Sequence, residues 1–394
     1  MSNPSSESRS RLQPQVILLG VISLLNDSAS EMIYPLLPVF LATTLGATPL
    51  IIGVIEGCAD ALASIVKLAA GAISDRLPRR KPLVVWGYGL AAASRALIAF
   101  ATMWPAVLTA RLIDRTGKGV RSAPRDALIA DVTPPEQRGR AFGFHRALDH
   151  TGAVVGPLMA LVLLRYVTMR TVFLIAVIPG AIGTVLLMLL LREAPRTRVA
   201  SSEAPASRAP LPRAFWQALI AIALFSLANS SDAFLLLRAH DAGIATAMLP
   251  LLWGAHHVIK SLFSTAAGSL SDRVDRRYLL IAGWLSYAAI YAIFPFARTA
   301  TLFFVLFVVY AIPFTLSEGA ERAWIGDLVP SESRGRSFGI YYLANGLCVL
   351  AGTLLFGELY ESVSPRAAFW AGAGVAVFAA LAAIVAPRRA TAVA

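Results

Sequence analysis

Residues 71–81 read GAISDRLPRRK, and residues 268–278 read GSLSDRVDRRY. A second pair follows in step: DVTPPEQRGRAFG at 131–143 and DLVPSESRGRSFG at 327–339. The offsets are about 197 and 196 residues, so the copies lie in register with one small gap. Further along, Gly156 matches Gly352 and Phe173 matches Phe369. Two linked sites that share one offset identify an internal duplication, which divides the chain into two halves of one plan.

What lies between the repeats is apolar. Of the 394 residues, 57% are hydrophobic and only 15% are charged, against about 45–50% and about 25% in a soluble domain. A helix needs about 20 apolar residues to cross a bilayer, and such stretches recur along the chain. They are read at 15–43, 50–74, 83–103, 105–130, 140–164 and 171–191, then at 214–238, 245–270, 279–297, 301–325, 337–359 and 367–386. These are numbered spans 1 to 12. No barrel-like alternation recurs. The expected fold is therefore an all-α integral membrane protein, with about twelve transmembrane helices in two pseudo-symmetric six-helix bundles. Residues 192–213 are rich in Pro, Ser, Ala and Arg and read as a flexible linker between bundles at 15–191 and 214–387. Residues 1–14 and 388–394 are read as polar tails. Repeated halves related by an axis along the membrane normal are a transporter architecture.

Net charge is +12, and a basic excess can point to nucleic acid. Its placement argues otherwise. About twenty Lys and Arg fall on the N-terminus, the even-numbered connections and the C-terminus; about five, including Arg165, Arg238 and Arg366, lie at the opposite ends. That bias places both termini, the linker and the tails in the cytoplasm. A bacterial-type inner membrane is expected, with no nucleic-acid partner. No cleavable leader is read, because the polar first residues run straight into a long span. Cys58 and Cys348 fall inside spans and are expected as free thiols, and no metal motif or cofactor site is read.

With these motifs assembled, the chain resembles the major facilitator superfamily over essentially its whole length. The family's signature between spans 2 and 3 is carried by Gly71, Asp75, Arg76, Arg79, Arg80 and Lys81. Its second copy is carried by Gly268, Asp272, Arg273, Arg276 and Arg277. The resemblance implies a conformational latch: Asp75 facing the start of span 11 and Asp272 facing the start of span 5. Helix N-termini accept such carboxylates. The competing reading gives these loops only a topological role through their charge. Span 5 holds Gly152-Ala-Val-Val-Gly156-Pro157, similar to the glycine–proline motif of antiporters in this superfamily. The match stops at Ala160-Leu161, where that motif continues into a glycine pair. Helix packing and a proline bend explain the same residues without export. Function as a monomer is a family expectation.

Charges within spans are costly and mark cavities or partners. Span 1 carries Asn26, Asp27 and Glu31, the two acids four apart on one face. Nearby carboxylates in low dielectric suit a proton-coupling site, to which Asp60 of span 2 and His150 of span 5 are added. His150 reads equally as a satisfied buried histidine. Span 4, ARLIDRTGKGVRSAPRDALIAD, cannot face lipid; its Arg111, Arg115 and Lys118 line the interior or pair with acids of spans 1 and 2. Asp149, Asn229, Asp232, His257 and Lys260 complete the candidate substrate cavity. Arg125-Asp126 corresponds by the repeat to Glu321-Arg322, with charges reversed, so crossed pairs between the halves are one expectation and surface pairs the other.

The reading is secondary active transport of a small organic solute by alternating access, coupled to protons, with export favoured by residues 152–157. Uptake of an anionic metabolite or metal chelate is the alternative, because Lys67, Arg115, Lys118 and Lys260 make the cavity basic. A transporter-like sensor without flux is the alternative of another class. No catalytic motif supports an enzyme.

Overall fold

The structure, a computed structural model, describes residues 12–133, 138–193, 210–329 and 334–386. The side chains of Gly71, Asp75, Arg76, Gly268, Asp272 and Arg273 are not among those described, so the latch assigned to them lies outside the described residues. Regular structure among the described residues is entirely helical.

Twelve spans account for these helices. Spans 2 to 6 are Pro49–Arg76, Lys81–Phe100, Trp104–Asp131, Arg138–Leu163 and Met169–Leu190. Spans 8, 9, 11 and 12 are Leu249–Arg273, Arg276–Ile293, Arg334–Ser362 and Pro365–Val385. The other three are each made of two pieces. Span 1 is Pro14–Ile33 then Leu37–Leu45, broken at Pro35, which lacks an N–H for the helical ladder. Span 10 is Ala300–Val309 then Ala311–Asp327. Pro313 has no N–H for the Val309 carbonyl, which places that break. Span 7 is Arg213–Ala228 then Ala233–Asp241. The intervening Asn-Ser-Ser-Asp offers side-chain partners that compete with the backbone ladder; Ser231 Oγ accepts the Ala233 N–H at 3.3 Å.

Among the described residues, nine helical stretches are long and apolar enough to cross a membrane. Spans 4, 5 and 8 fall short on composition only, since they run to 28, 26 and 25 residues. At about 1.5 Å per residue each exceeds a hydrocarbon core of about 30 Å. Helices of that length with that much charge must turn a face away from lipid, and these three supply most of the central cavity.

The pattern of neighbours carries the pseudo-symmetry. In the first half span 1 packs on spans 5 and 6, span 3 on 4 and 6, and span 2 on 4. In the second, span 7 packs on 11 and 12, span 9 on 10 and 12, and span 8 on 10. Adding six to each number of the first set gives the second. Between the halves, spans 2 and 11 pack together, as do 5 and 8, and the same rule exchanges these two contacts. Each half also ties the loop after its second helix to the end of its fourth helix: Arg80 pairs with Asp131 at 2.6 Å, and Arg276, one position before the aligned Arg277, pairs with Asp327 at 3.3 Å.

Glycine sets the closest approaches, as expected where no hydrophobic force drives helices together in lipid. A Cβ on Gly152 would lie 2.7 Å from the Leu24 carbonyl, and one on Gly156 would overlap that of Ser28. Gly352 stands in the same relation to Leu227 of span 7.

Candidate functional site

Between the halves lies a cavity of about 520 Å³. One end is sealed. There Trp253 of span 8 donates its indole N–H to Glu31 of span 1 at 2.6 Å, and its ring meets that of Tyr34 at 4.8 Å. Beside this plug spans 2 and 11 close up: a Cβ on Gly53 would sit 2.9 Å from the Thr353 carbonyl, and one on Gly57 2.9 Å from Leu350. The Leu50 N–H reaches Glu361 at 3.1 Å. From the seal the cavity runs toward the end where span 2 finishes at Arg76 and span 4 at Asp131, past Lys67, Arg146, Ala267 and Arg322.

Its wall is built of charge. Nine Lys or Arg side chains line it against six Asp or Glu, and span 4 presents eight polar residues between Arg111 and Asp126. Two arginines are held from behind. Arg111 is clamped by Glu56 of span 2, Nε to Oε1 at 3.0 Å and Nη2 to Oε2 at 2.5 Å. Arg115 lies 3.3 Å from Asp60. A planar guanidinium matches a carboxylate bidentately, and burial makes such pairing obligatory. Span 4 thus pairs with acids of span 2, while the span 1 acids stay out of ion pairs.

Sorting the remaining charges shows what the cavity can do. Lys67, Lys118, Arg121, Arg146 and Arg322 have no carboxylate within 4 Å among the described residues. Lys67 sits 5.0 Å above the Tyr342 ring and Arg121 4.7 Å above that of Tyr88. Arg121 is only 5% exposed, and its Nη1 has no hydrogen-bond partner among the described residues. On the acidic side, Asp27, Glu31 and Asp149 have no Lys or Arg within 4 Å among the described residues. Asp27 is within electrostatic reach of Arg121, Lys118 and Arg125, and of Asp149. Asp149 faces His145 Nδ1 at 3.5 Å.

A second pocket of about 330 Å³ extends into the other half and shares Lys260, Phe314, Glu318 and Arg322 with the first. It takes in Asn229 and Asp232 at the break of span 7, with Glu321, Tyr341 and Asn345. Lys260 pairs with Glu318 at 2.6 Å, and Asp232 accepts the Tyr310 hydroxyl at 2.9 Å.

Most residues singled out in the sequence meet here. Asp27, Glu31, Arg111, Arg115, Lys118, Asp149, His150, His257 and Lys260 line the main cavity, and Asn229 and Asp232 line its extension. Asn26 is placed otherwise. It is buried behind the wall, where its side-chain oxygen accepts Arg95 Nη2 at 2.8 Å. Arg95, which also reaches Ser30 at 2.8 Å, is the functional candidate sequence reasoning missed; a lone arginine in an otherwise apolar span was the available signal. The crossed pairs expected between Arg125-Asp126 and Glu321-Arg322 are absent among the described residues. Arg125 turns onto Asp126 at 2.9 Å, and Glu321 accepts the Tyr341 hydroxyl at 3.2 Å. Arg80 and Arg277 brace their own halves, the latter through Asp275 at 2.7 Å and the Ala386 carbonyl at 2.7 Å. Gly152 and Gly156 pack span 5 on span 1, while Pro157 meets span 8: a Cβ on Gly254 would be 3.7 Å from it. Cys58 and Cys348 are free thiols.

Two repeated bundles around a polar cavity, sealed at one end, define a multi-pass membrane transporter. Comparison with known proteins specifies the class. A family model described as Major Facilitator Superfamily matches residues 19–257 and 220–393. An uncharacterised MFS-type transporter of Methanocaldococcus jannaschii is 30% identical over 385 residues, 96% of each chain. An uncharacterised protein of Mycobacterium tuberculosis is 28% identical, covering 88% of this chain and 86% of its own. Among solved structures, a bacterial homologue of the human lysosomal transporter Spinster, inward-facing and unoccupied, superposes with a TM-score of 0.72 at 17% identity, covering 98% and 96% of the two chains. A D-xylose–proton symporter gives 0.74 at 17% identity over 94% and 97%. The chain belongs to the Major Facilitator Superfamily. Members of that family are transporters.

Proposed function

We propose that this transporter moves a small anionic organic solute together with protons, by alternating access around the central cavity. The observation that carries the reading is the sorting of charges. Among the described residues, five cavity cations lack a carboxylate within 4 Å, against three carboxylates that lack a Lys or Arg. Protonating Asp27 and Glu31 removes negative charge from beside Lys118 and Arg121 and so strengthens anion binding. Proton and anion then favour each other's binding, a positive and reciprocal coupling. That sign gives co-transport, and an inward proton gradient turns it into uptake. The basic ends of the even-numbered connections support cytoplasmic termini in a bacterial-type inner membrane, so the conformation seen here reads as open to the cytoplasm. Rocking of the halves at the contacts of spans 2 with 11 and 5 with 8 would exchange the open and sealed ends, in a chain that works as a monomer.

Export is the second reading. Its support is the glycine–proline motif and a 134-residue stretch 33% identical to the multidrug resistance protein MdtH of Photorhabdus laumondii, 34% of this chain and 33% of that one. The two readings part in a thermal-shift screen of organic anions and lipophilic cations at pH 5.5 and 7.5, since a ligand of the folded state raises the melting temperature. Anions should stabilise, more at pH 5.5, with the effect lost on Lys118→Ala. Stabilisation by cations alone, weaker at pH 5.5, would overturn the proposal in favour of competition between proton and solute.

A further inference from the structure

The cavity is polarised, and its two poles have opposite sign. At the first-half pole stand Lys118 and Arg121, the latter buried with Nη1 unpartnered among the described residues. At the other, the pocket of about 330 Å³ holds Asp232, Glu318 and Glu321 with Lys260 and Arg322. Lys260 is engaged with Glu318 at 2.6 Å. Asp232 and Glu321 have tyrosine hydroxyls instead, from Tyr310 at 2.9 Å and Tyr341 at 3.2 Å. Among the described residues, neither has a Lys or Arg nitrogen within 4 Å, Arg322 included. One hydroxyl fills one of about four acceptor sites on a carboxylate, so both acids keep capacity for donors. Tyr341 stands on the same wall, and aromatic faces favour a cation, as Lys260 shows at 5.0 Å over the Phe314 ring.

A simple anion would satisfy only one pole. We infer that the solute is a zwitterion, its negative group held by Lys118 and Arg121 and a protonated amine held by Asp232 and Glu321 across the shared space. This rests on the anion reading above and deepens it. Specificity would follow from the second pole. An analogue without the amine leaves two carboxylates short of donors, a penalty that polar sites impose on incomplete ligands.

The test measures binding to the purified full chain at pH 5.5, with ω-amino acids from 5-aminopentanoate to 8-aminooctanoate beside the alkanoate and alkylamine of each length. At one length the amino acid should bind at least about tenfold tighter than either partner, about 1.4 kcal/mol. Asp232→Asn combined with Glu321→Gln should erase that gain while the alkanoate binds at least as tightly as before, which also shows that the variant is folded. Lys118→Ala should weaken both acids. If alkanoates bind and the amine adds nothing at any length, or the gain survives the double substitution, the zwitterion inference falls and the anion reading stands. If alkanoates do not bind the unmodified protein, the anion reading falls and takes this inference with it.

Discussion

Trp253 and Glu31 are joined by a hydrogen bond of 2.6 Å that spans the two halves of the molecule. It makes a carboxylate proposed for proton coupling a physical part of the seal, so whatever occupies Glu31 acts on the gate as well. Trp253→Phe keeps most of the ring contact with Tyr34 and removes the donor. A hydrogen bond to a charged group contributes about 1.5–3 kcal/mol, so the ratio of sealed to open molecules should fall about 10- to 160-fold. Spin labels at Thr44 and Asp241, in a background without Cys58 and Cys348, report the separation at that end. A long-distance population should grow in the variant; an unchanged distribution would remove Trp253 from the gate.

The clamp of Glu56 on Arg111 gives a stability prediction. Both side chains are buried, at 2% and 6% exposure. Among the described residues, Glu56→Ala leaves the buried guanidinium with only Asp114, 3.6 Å from its Nη1; breaking a buried pair costs about 3–5 kcal/mol and should lower the melting temperature in detergent markedly. Glu56→Ala with Arg111→Met should recover much of the loss, because the guanidinium without its bidentate partner is gone and Asp114 keeps Arg115 and Arg95 within electrostatic reach. A double variant no better than the single one would show that the pair does not set the cost.

Gly53 offers a steric handle on the same seal. A valine there must move the Thr353 backbone, 2.9 Å from its Cβ. The expected effect is a protein that folds but favours the state open at the Pro49 end. Labelling of a cysteine placed at Leu50 by a membrane-impermeant maleimide should speed up in Gly53→Val relative to the unmodified background. Equal rates would mean that spans 2 and 11 can yield without opening.

Much of this was legible in the sequence, for identifiable reasons. The duplication fixed the two-bundle plan, because copies at one offset must fold alike. Span 4 announced an internal wall, because its Arg and Lys stripe has no place in lipid. Helical periodicity says which residues of one helix share a face, and Asp27 with Glu31 follow from that. It does not say which helix stands opposite. Hence Arg111 was free to take Glu56 or a span 1 acid until the bundle was seen, and Asn26 turned out to face Arg95 rather than the cavity. The breaks of spans 1 and 10 trace to Pro35 and Pro313, which the sequence displays; that the break of span 7 opens a second pocket around Asp232 depends on packing by Tyr310 and Phe314, far away in the chain.

The central claim is that proton and solute bind together because protonation of Asp27 unmasks Lys118 and Arg121. Its most direct test is proton movement in proteoliposomes carrying a lumenal pH dye. An anion that stabilises the protein is added outside, with no imposed gradient. Co-transport predicts acidification of the lumen on addition, abolished by Asp27→Asn while exchange of labelled for unlabelled solute continues. Alkalinisation of the lumen, or acidification that survives in Asp27→Asn, would contradict it.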